Sequence, residues 1–218
     1  MRIKFKVEEA KENNIFWVTM TDLMTALVLV FIVMFFYAFL QNNINNLNAN
    51  LAKENATKVL QETLKEQDLE ANVDPISGVV KISNLELFEL NSYKLSNKGK
   101  AYLDKFAPAY IDSLFSNEYM QKNLDKIIIQ GHTDSQTFVG LYSENEQYMK
   151  NMELSLNRAY SVANYMLQTK YNKANSEKLR KMFLVEGVSF SEPVIEDGKE
   201  NFDKSRRVEL KLSMKKKS

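Results

Sequence analysis

The sequence predicts an α/β protein: a single N-terminal transmembrane helix, a helical tether, and then an α/β sandwich built on a mixed β-sheet. Three observations carry this. Residues 15–40 hold 26 positions without Lys, Arg, Glu, Gly or Pro, and about 20 apolar residues are enough to cross a bilayer. From Val73 onward, apolar spacing switches repeatedly between the period of a strand and that of a helix. The length of 218 residues accommodates one domain of about 100–150 residues beside the membrane segment. Composition narrows the function classes. With 29 basic and 28 acidic residues, net +1, nothing points to nucleic acid as a partner. The absence of Cys removes disulfides, thiolate catalysis and Cys-based zinc sites, and the single His132 removes multi-histidine metal sites.

Taken in order, residues 1–14 carry Arg2, Lys4, Lys6 and Lys11, whereas residues 41–52 carry no charge. Positive-inside counting therefore puts the N-terminus in the cytoplasm and the bulk of the chain in the periplasm. Residues 15–40 form the span, with Phe16 and Trp17 at one interface and Phe35, Phe36, Tyr37 and Phe39 at the other, as aromatic belts are placed. A cleavable signal peptide fits poorly, because the apolar run is too long and no small-x-small site follows. Residues 41–72 are polar, with six Asn between positions 42 and 50. Ile44, Leu47, Leu51, Ala56, Leu60 and Leu64 keep a loose helical spacing there, which reads as an exposed periplasmic tether.

Residues 73–213 form the globular domain, and 214–218 a basic tail. "SGVVKISN" reads as a strand, and "LSNKGKAYLDKFAPAYIDSLF" as a helix capped by Ser96. "KIIIQGHTD" is a strand running into a turn. "NMELSLNRAYSVANYMLQ" is a helix from Asn151, with Ala159, Val162, Ala163 and Met166 on its core face. "MFLVEGVSF" and "SRRVELKLS" are strands joined by a polar loop.

Asp22 is the first candidate for chemistry, because an ionisable group at membrane depth is by default a functional hypothesis. On a helix it shares a face with Thr19, Thr25 and Ala26, and no basic residue within the span can pair with it. A partner subunit, a cation or a bound proton must neutralise it, which makes it a candidate ion carrier. Asn151, Leu154 and Arg158 share one helix face at spacings of three and four, with Asn151 placed to cap that helix. Asp134 ends a strand, where ligand contacts gather on open sheets. Asp134 and Arg158 suit the two ends of a zwitterion; a structural ion pair between them is equally compatible with the spacing. Arg206 and Arg207 open a strand whose alternation sends one to each face, one towards the ligand site and the other towards solvent. A hydrolase triad from His132, Asp134 and Ser135 or Ser155 lacks a nucleophile elbow and an oxyanion hole.

These residues form a pattern. "GHTD", "N..LSLNRAYSV" and "SRRVEL" together resemble the OmpA-like peptidoglycan-binding family over about residues 77–212. The resemblance implies that Asp134 and Arg158 hold the diaminopimelate of the peptidoglycan stem peptide, with Asn151, Leu154, Arg206 and Arg207 supporting the site. "FWVTMTDLMTALVLVFIVMFF" in turn resembles the span of MotB-type stator subunits, which implies that Asp22, flanked by Thr19 and Thr25, carries the ion. It implies as partners a ring of five MotA-like membrane subunits around two copies of this chain, an inner-membrane location, no cofactor and no enzymatic activity, with H+ expected over Na+. "DLMTA" and "FLVEGVSF" bring it nearest to the subunits of Zorya anti-phage systems. A flagellar stator subunit and a passive wall tether are the alternatives. Two departures stand out. The stretch between Asp134 and Asn151 is long and carries Phe138, Tyr142 and Tyr148, and Ser205 replaces the usual Asn before the paired arginines.

Overall fold

In the computed structural model, residues 2–66, 69, 72–75, 77–89, 92–138, 140 and 143–215 are described, with side chains from residue 16 onward. The basic side chains of Arg2, Lys4, Lys6 and Lys11, the ring of Tyr142 and the tail residues 216–218 lie outside the described residues. The chain divides into two compact units, Met1–Asn48 and Ala49–Ser218.

The first unit is helical. It belongs to α1, Arg2–Glu66, and contains the stretch long and apolar enough to cross a membrane. Its large apolar side chains, including Leu23, Val30, Val33 and Phe36, are exposed, as they are on a helix whose surroundings are lipid or another subunit. Thr19, Thr21 and Thr25 turn their hydroxyls back on the helix and donate to the carbonyls of Phe16, Trp17 and Thr21 at 2.9, 2.7 and 2.9 Å. Such bonds let a hydroxyl sit in an apolar setting without an unsatisfied proton.

The second unit is an α/β sandwich. Its further elements are β1 (Asn72–Val73), β2 (Val80–Ser83), α2 (Asn84–Leu87), α3 (Asn97–Ser116), α4 (Glu118–Asn123) and β3 (Leu124–Gly131), followed by α5 (Glu144–Met166), α6 (Ser176–Met182) and β4 (Phe183–Gly187). A small hairpin of β5 (Ile195–Glu196) and β6 (Lys199–Glu200) precedes α7 (Phe202–Ser205) and β7 (Arg207–Met214). The main sheet runs β1-β2-β7-β3-β4. β3 and β4 are parallel, joined through α5 and α6, and the other pairs are antiparallel, so the sheet is mixed, as the sequence predicts. Alternation along β7 buries Val208 and Leu210 in the core and puts Arg207, Glu209 and Lys211 on the opposite side.

α5 lies close on the C-terminal ends of β3 and β4 because glycines allow it. A Cβ on Gly131 would fall 2.0 Å from the Ser155 carbonyl oxygen, and one on Gly187 would fall 2.6 Å from the Leu156 nitrogen. α3 supplies Phe106 and Tyr110 to the core, with Tyr102, Phe106 and Tyr110 stacked at 5.7 and 5.5 Å. As expected, Ser96 caps α3, accepting from the Gly99 N–H at 2.9 Å.

Two local expectations are corrected. α5 starts at Glu144, not at Asn151. Ser143 and Glu146 form a reciprocal capping box, which leaves Asn151 two turns inside the helix. The residues expected to be an exposed tether are helical as far as Glu66, and from Ala49 onward they belong to the second unit. Ala52, Ala56, Leu60 and Leu64 are buried in the same core as Ile82, Ile127 and Leu210, and Gln61 donates from Nε2 to the Val73 carbonyl at 3.1 Å. The stripe at spacing four is thus a packing face, whereas Ile44, Leu47 and Leu51 are exposed.

Candidate functional site

Three segments converge just beyond the C-terminal end of β3. Asp134 lies three residues past Gly131 on that strand, Arg158 projects from the middle of α5, and Arg206 sits in the single-residue break between α7 and β7. The Asp134 carboxylate is bonded through Oδ2 to Arg206 Nη1 at 2.6 Å. The ion pair that spacing left open between Asp134 and Arg158 is therefore filled by Arg206. Arg158 is buried; its Nε donates to the Ser92 carbonyl at 3.0 Å, and its guanidinium lies 5.4 Å from the centre of the Phe88 ring, an arrangement that favours a cation. Burial, followed by the charge of Arg206, pushes the Arg158 guanidinium down to about 10, against the pull of Asp134. It remains charged at neutral pH, and loss of hydration makes it a demanding partner for an anion.

Asn151 is buried and donates from Nδ2 to the Gln147 carbonyl at 3.1 Å, and Leu154 is half-buried beside it. The long stretch after Asp134 is fastened at Ser135, Gln136 and Phe138. Ser135 bonds Glu200 of β6 through both its N–H and its hydroxyl. Gln136 Oε1 accepts from Arg206 at 3.3 Å. The Phe138 N–H donates to Gln147 Oε1 at 2.9 Å, with Gln147 Nε2 returning to the Phe138 carbonyl at 3.5 Å. Tyr148 packs edge-on against Phe190 at 5.4 Å. Ser135, Gln136 and Phe138 are thus tied to β6, Arg206 and α5 respectively.

Arg206 and Arg207 diverge, as alternation requires, but Arg207 does not reach solvent. It is buried, with Nε bonded to Glu209 Oε1 at 2.6 Å and Nη1 to the Glu192 and Ser205 carbonyls at 3.2 Å. Ser205 keeps an orienting role: its hydroxyl accepts the Val194 N–H at 3.0 Å, which ties the loop to the start of β7.

His132 faces this buried side, not the Asp134 site. It is fully buried, with Nε2 3.7 Å from Glu209 Oε2. Burial, then the charge of Arg207, pushes it down to about 3, so it is neutral. The Ser155 hydroxyl donates to the Met152 carbonyl and accepts from the Ser189 N–H, and Ser135 is held by Glu200, so neither is poised as a nucleophile towards His132. His132, Glu192 and Glu209 bring possible metal ligands within 4.8 Å of one another. However, Lys211 Nζ already lies 3.2 Å from Glu209 and 3.6 Å from Glu192, so a fixed ammonium takes the place a cation would fill.

Asp22 lies in the membrane-length part of α1, with the Thr25 hydroxyl also 2.8 Å from its backbone carbonyl. The structure thus groups Asp134, Arg158 and Arg206 and separates Arg207 from them, with Asn151 two turns before Arg158 on α5. Phe88, Ser92, Glu200 and Asp203 at this site were not foreseen. Of these, only Asp203, three residues before Arg206, left a readable signal.

The OmpA family profile matches residues 87–207, a stretch that contains every residue of this site. Zorya protein ZorB of Escherichia coli strain Crooks is 30% identical over 214 residues, covering 92% of this chain and 88% of that relative. Zorya protein ZorB of Escherichia coli O139:H28 is 25% identical over 222 residues, covering 96% and 83%. Among solved structures, a MotB-like protein from Desulfovibrio vulgaris shares the fold with a TM-score of 0.54 at 18% identity, covering 75% of this chain and 95% of that one.

Proposed function

We propose, from the premise that this chain belongs to the OmpA family and is a MotB-like protein of the ZorB kind, that it is the wall-anchored stator subunit of an ion-driven membrane motor serving anti-phage defence. The observation that carries this reading is the presence on one chain of a carboxylate in a membrane-length helix and a domain with a charged site at Asp134, Arg158 and Arg206. An anchor alone gains nothing from an acid in its span.

In this reading α1 crosses the inner membrane once, with its N-terminus in the cytoplasm and the sandwich in the periplasm. Asp134 takes the ammonium of a peptidoglycan diaminopimelate, and Arg158 its carboxylate through paired N–H donors. Asn151 and Leu154 shape the site, and Arg206 holds Asp134. Two copies stand inside a ring of five MotA-like subunits. Protons, favoured over Na+, load on Asp22 between Thr19 and Thr25 and leave to the cytoplasm. Each charge crossing releases about 2.3 kcal/mol per 100 mV, enough to bias a small step of the ring, and wall anchoring keeps the span from turning with it. The chain is a structural and ion-carrying subunit in this reading, not an enzyme.

Two substitutions test it. Asp22→Asn abolishes ion-dependent defence at unchanged protein level; defence that survives removes the carrier role. Arg158→Ala abolishes co-sedimentation of the full chain with purified peptidoglycan while leaving its melting profile cooperative, and retained binding removes the site assignment.

A further inference from the structure

The Asp134 carboxylate, which should attract a ligand ammonium, already has a guanidinium at 2.6 Å. A free arginine in that position would close on both carboxylate oxygens, the preferred fork geometry, and leave no acceptor for a ligand. Here it does not. Arg206 offers Asp134 only Nη1, meeting Oδ2, and among the described residues the Asp134 side chain has no other bonded partner. The second amino group, Nη2, is turned away and bonded to Oδ1 of Asp203, and Nη1 is shared further with Gln136 Oε1 at 3.3 Å.

Charge tells the same story. Asp203 adds a negative charge beside Arg206 and so offsets part of the positive charge that Arg158 and Arg206 present to an arriving ammonium. Asp203 itself is placed by local structure. It lies in the first turn of α7, which Asn201 caps by accepting the Lys204 N–H at 3.1 Å, and the spacing of three brings its carboxylate under Arg206. Its side chain is 70% exposed and so is outside the buried part of the site.

We propose that Asp203 is a positioning residue for ligand binding: by holding the second amino group of Arg206, it keeps that arginine from closing over Asp134 and leaves one Asp134 oxygen available to a ligand ammonium. The ligand class is a zwitterion with a primary ammonium, such as the free end of a diamino acid. This rests on the reading of Asp134 and Arg158 as the ligand site. Asp203 does not touch the ligand; it acts through Arg206.

The test measures binding of a soluble diaminopimelate-containing muropeptide to the detergent-solubilised full chain, by calorimetry, for Asp203→Asn, Asp203→Glu, Arg206→Gln and the Asp203→Asn/Arg206→Gln pair. Asp203→Asn weakens binding about fivefold, the scale of one partly exposed ion pair, with an unchanged melting temperature. Asp203→Glu, which keeps the charge within reach of Arg206, restores affinity to within about twofold. In the Arg206→Gln background the further change Asp203→Asn has no effect, because the group it positions is gone. Unchanged or tighter binding by Asp203→Asn, failure of Asp203→Glu to restore it, or an equal loss in the Arg206→Gln background overturns the proposal. Arg158→Ala separates the two readings. If it binds like the native chain, the site itself is misassigned; if it fails to bind while Asp203→Asn binds normally, only the positioning role falls.

Discussion

His132 shows how one buried side chain sets a pH limit on the domain. Burial and the neighbouring Arg207, Lys211 and Lys81 charges outweigh Glu209 and push its imidazole down to about 3. An unfolded chain binds a proton at that ring near 6.5, so between the two values the unfolded state holds more protons and stability falls as pH falls. Glu209 behaves differently. Burial raises it, but the hydrogen bond and charge of Arg207 prevail and hold it below the usual carboxylate range, so its contribution is present above the unfolded value near 4.3 and lost only in stronger acid. Denaturant titration of the full chain should therefore show a loss approaching about 2 kcal/mol between pH 6.5 and pH 5, and His132→Gln should flatten that slope whatever it does to the absolute level. A slope that His132→Gln leaves unchanged would place the titration elsewhere. The same residue marks how far the sequence could be read. "GHTD" announced a site, yet whether His132 or Asp134 faced it depended on strand alternation beyond Gly131. The partner of Asp134 depended on Arg206, 72 residues away in sequence, a separation that no local pattern reports.

At the scale of elements, α1 and α5 were legible in type but not in extent. The strands β2, β3, β4 and β7 could be read from short apolar runs because both their neighbours and their turns were marked. The two-residue strands β1, β5 and β6 are too short to leave a period. The polar residues before Asn151 hide the start of α5, which rests on the Ser143–Glu146 box, a signal four letters long. The Asn-rich sequence before the end of α1 reads as a tether, yet Leu60 and Leu64 are 3% exposed. Leu60→Ala should cost about 2–4 kcal/mol of stability by leaving a cavity. Leu47→Ala, at a position 59% exposed, should change the stability of the isolated chain by less than about 0.5 kcal/mol. Urea unfolding of both variants checks the contrast, and equal effects would mean that the residues after Ala49 do not form part of the core.

At the scale of the whole molecule, the two proposed chemistries, at Asp22 and at the Asp134–Arg158 site, should fail independently. Asp22→Asn leaves co-sedimentation with peptidoglycan intact while defence is lost, and Arg158→Ala leaves membrane insertion intact while wall binding is lost; loss of both by either change would mean a folding defect. Division of the chain into a helical unit and a sandwich fits such separability, and both halves announced themselves by composition. The junction between them did not, because a polar helix looks the same whether it is solvated or has a domain folded against one of its faces. That feature has a consequence for how the sequence can vary in length. A helix advances about 100° per residue, so one residue added or removed between Ala52 and Leu64 puts the members of the buried stripe Ala52, Ala56, Leu60 and Leu64 on one side of the change out of phase with those on the other. Length changes in related chains should therefore fall before Ala49, or occur in steps near whole turns.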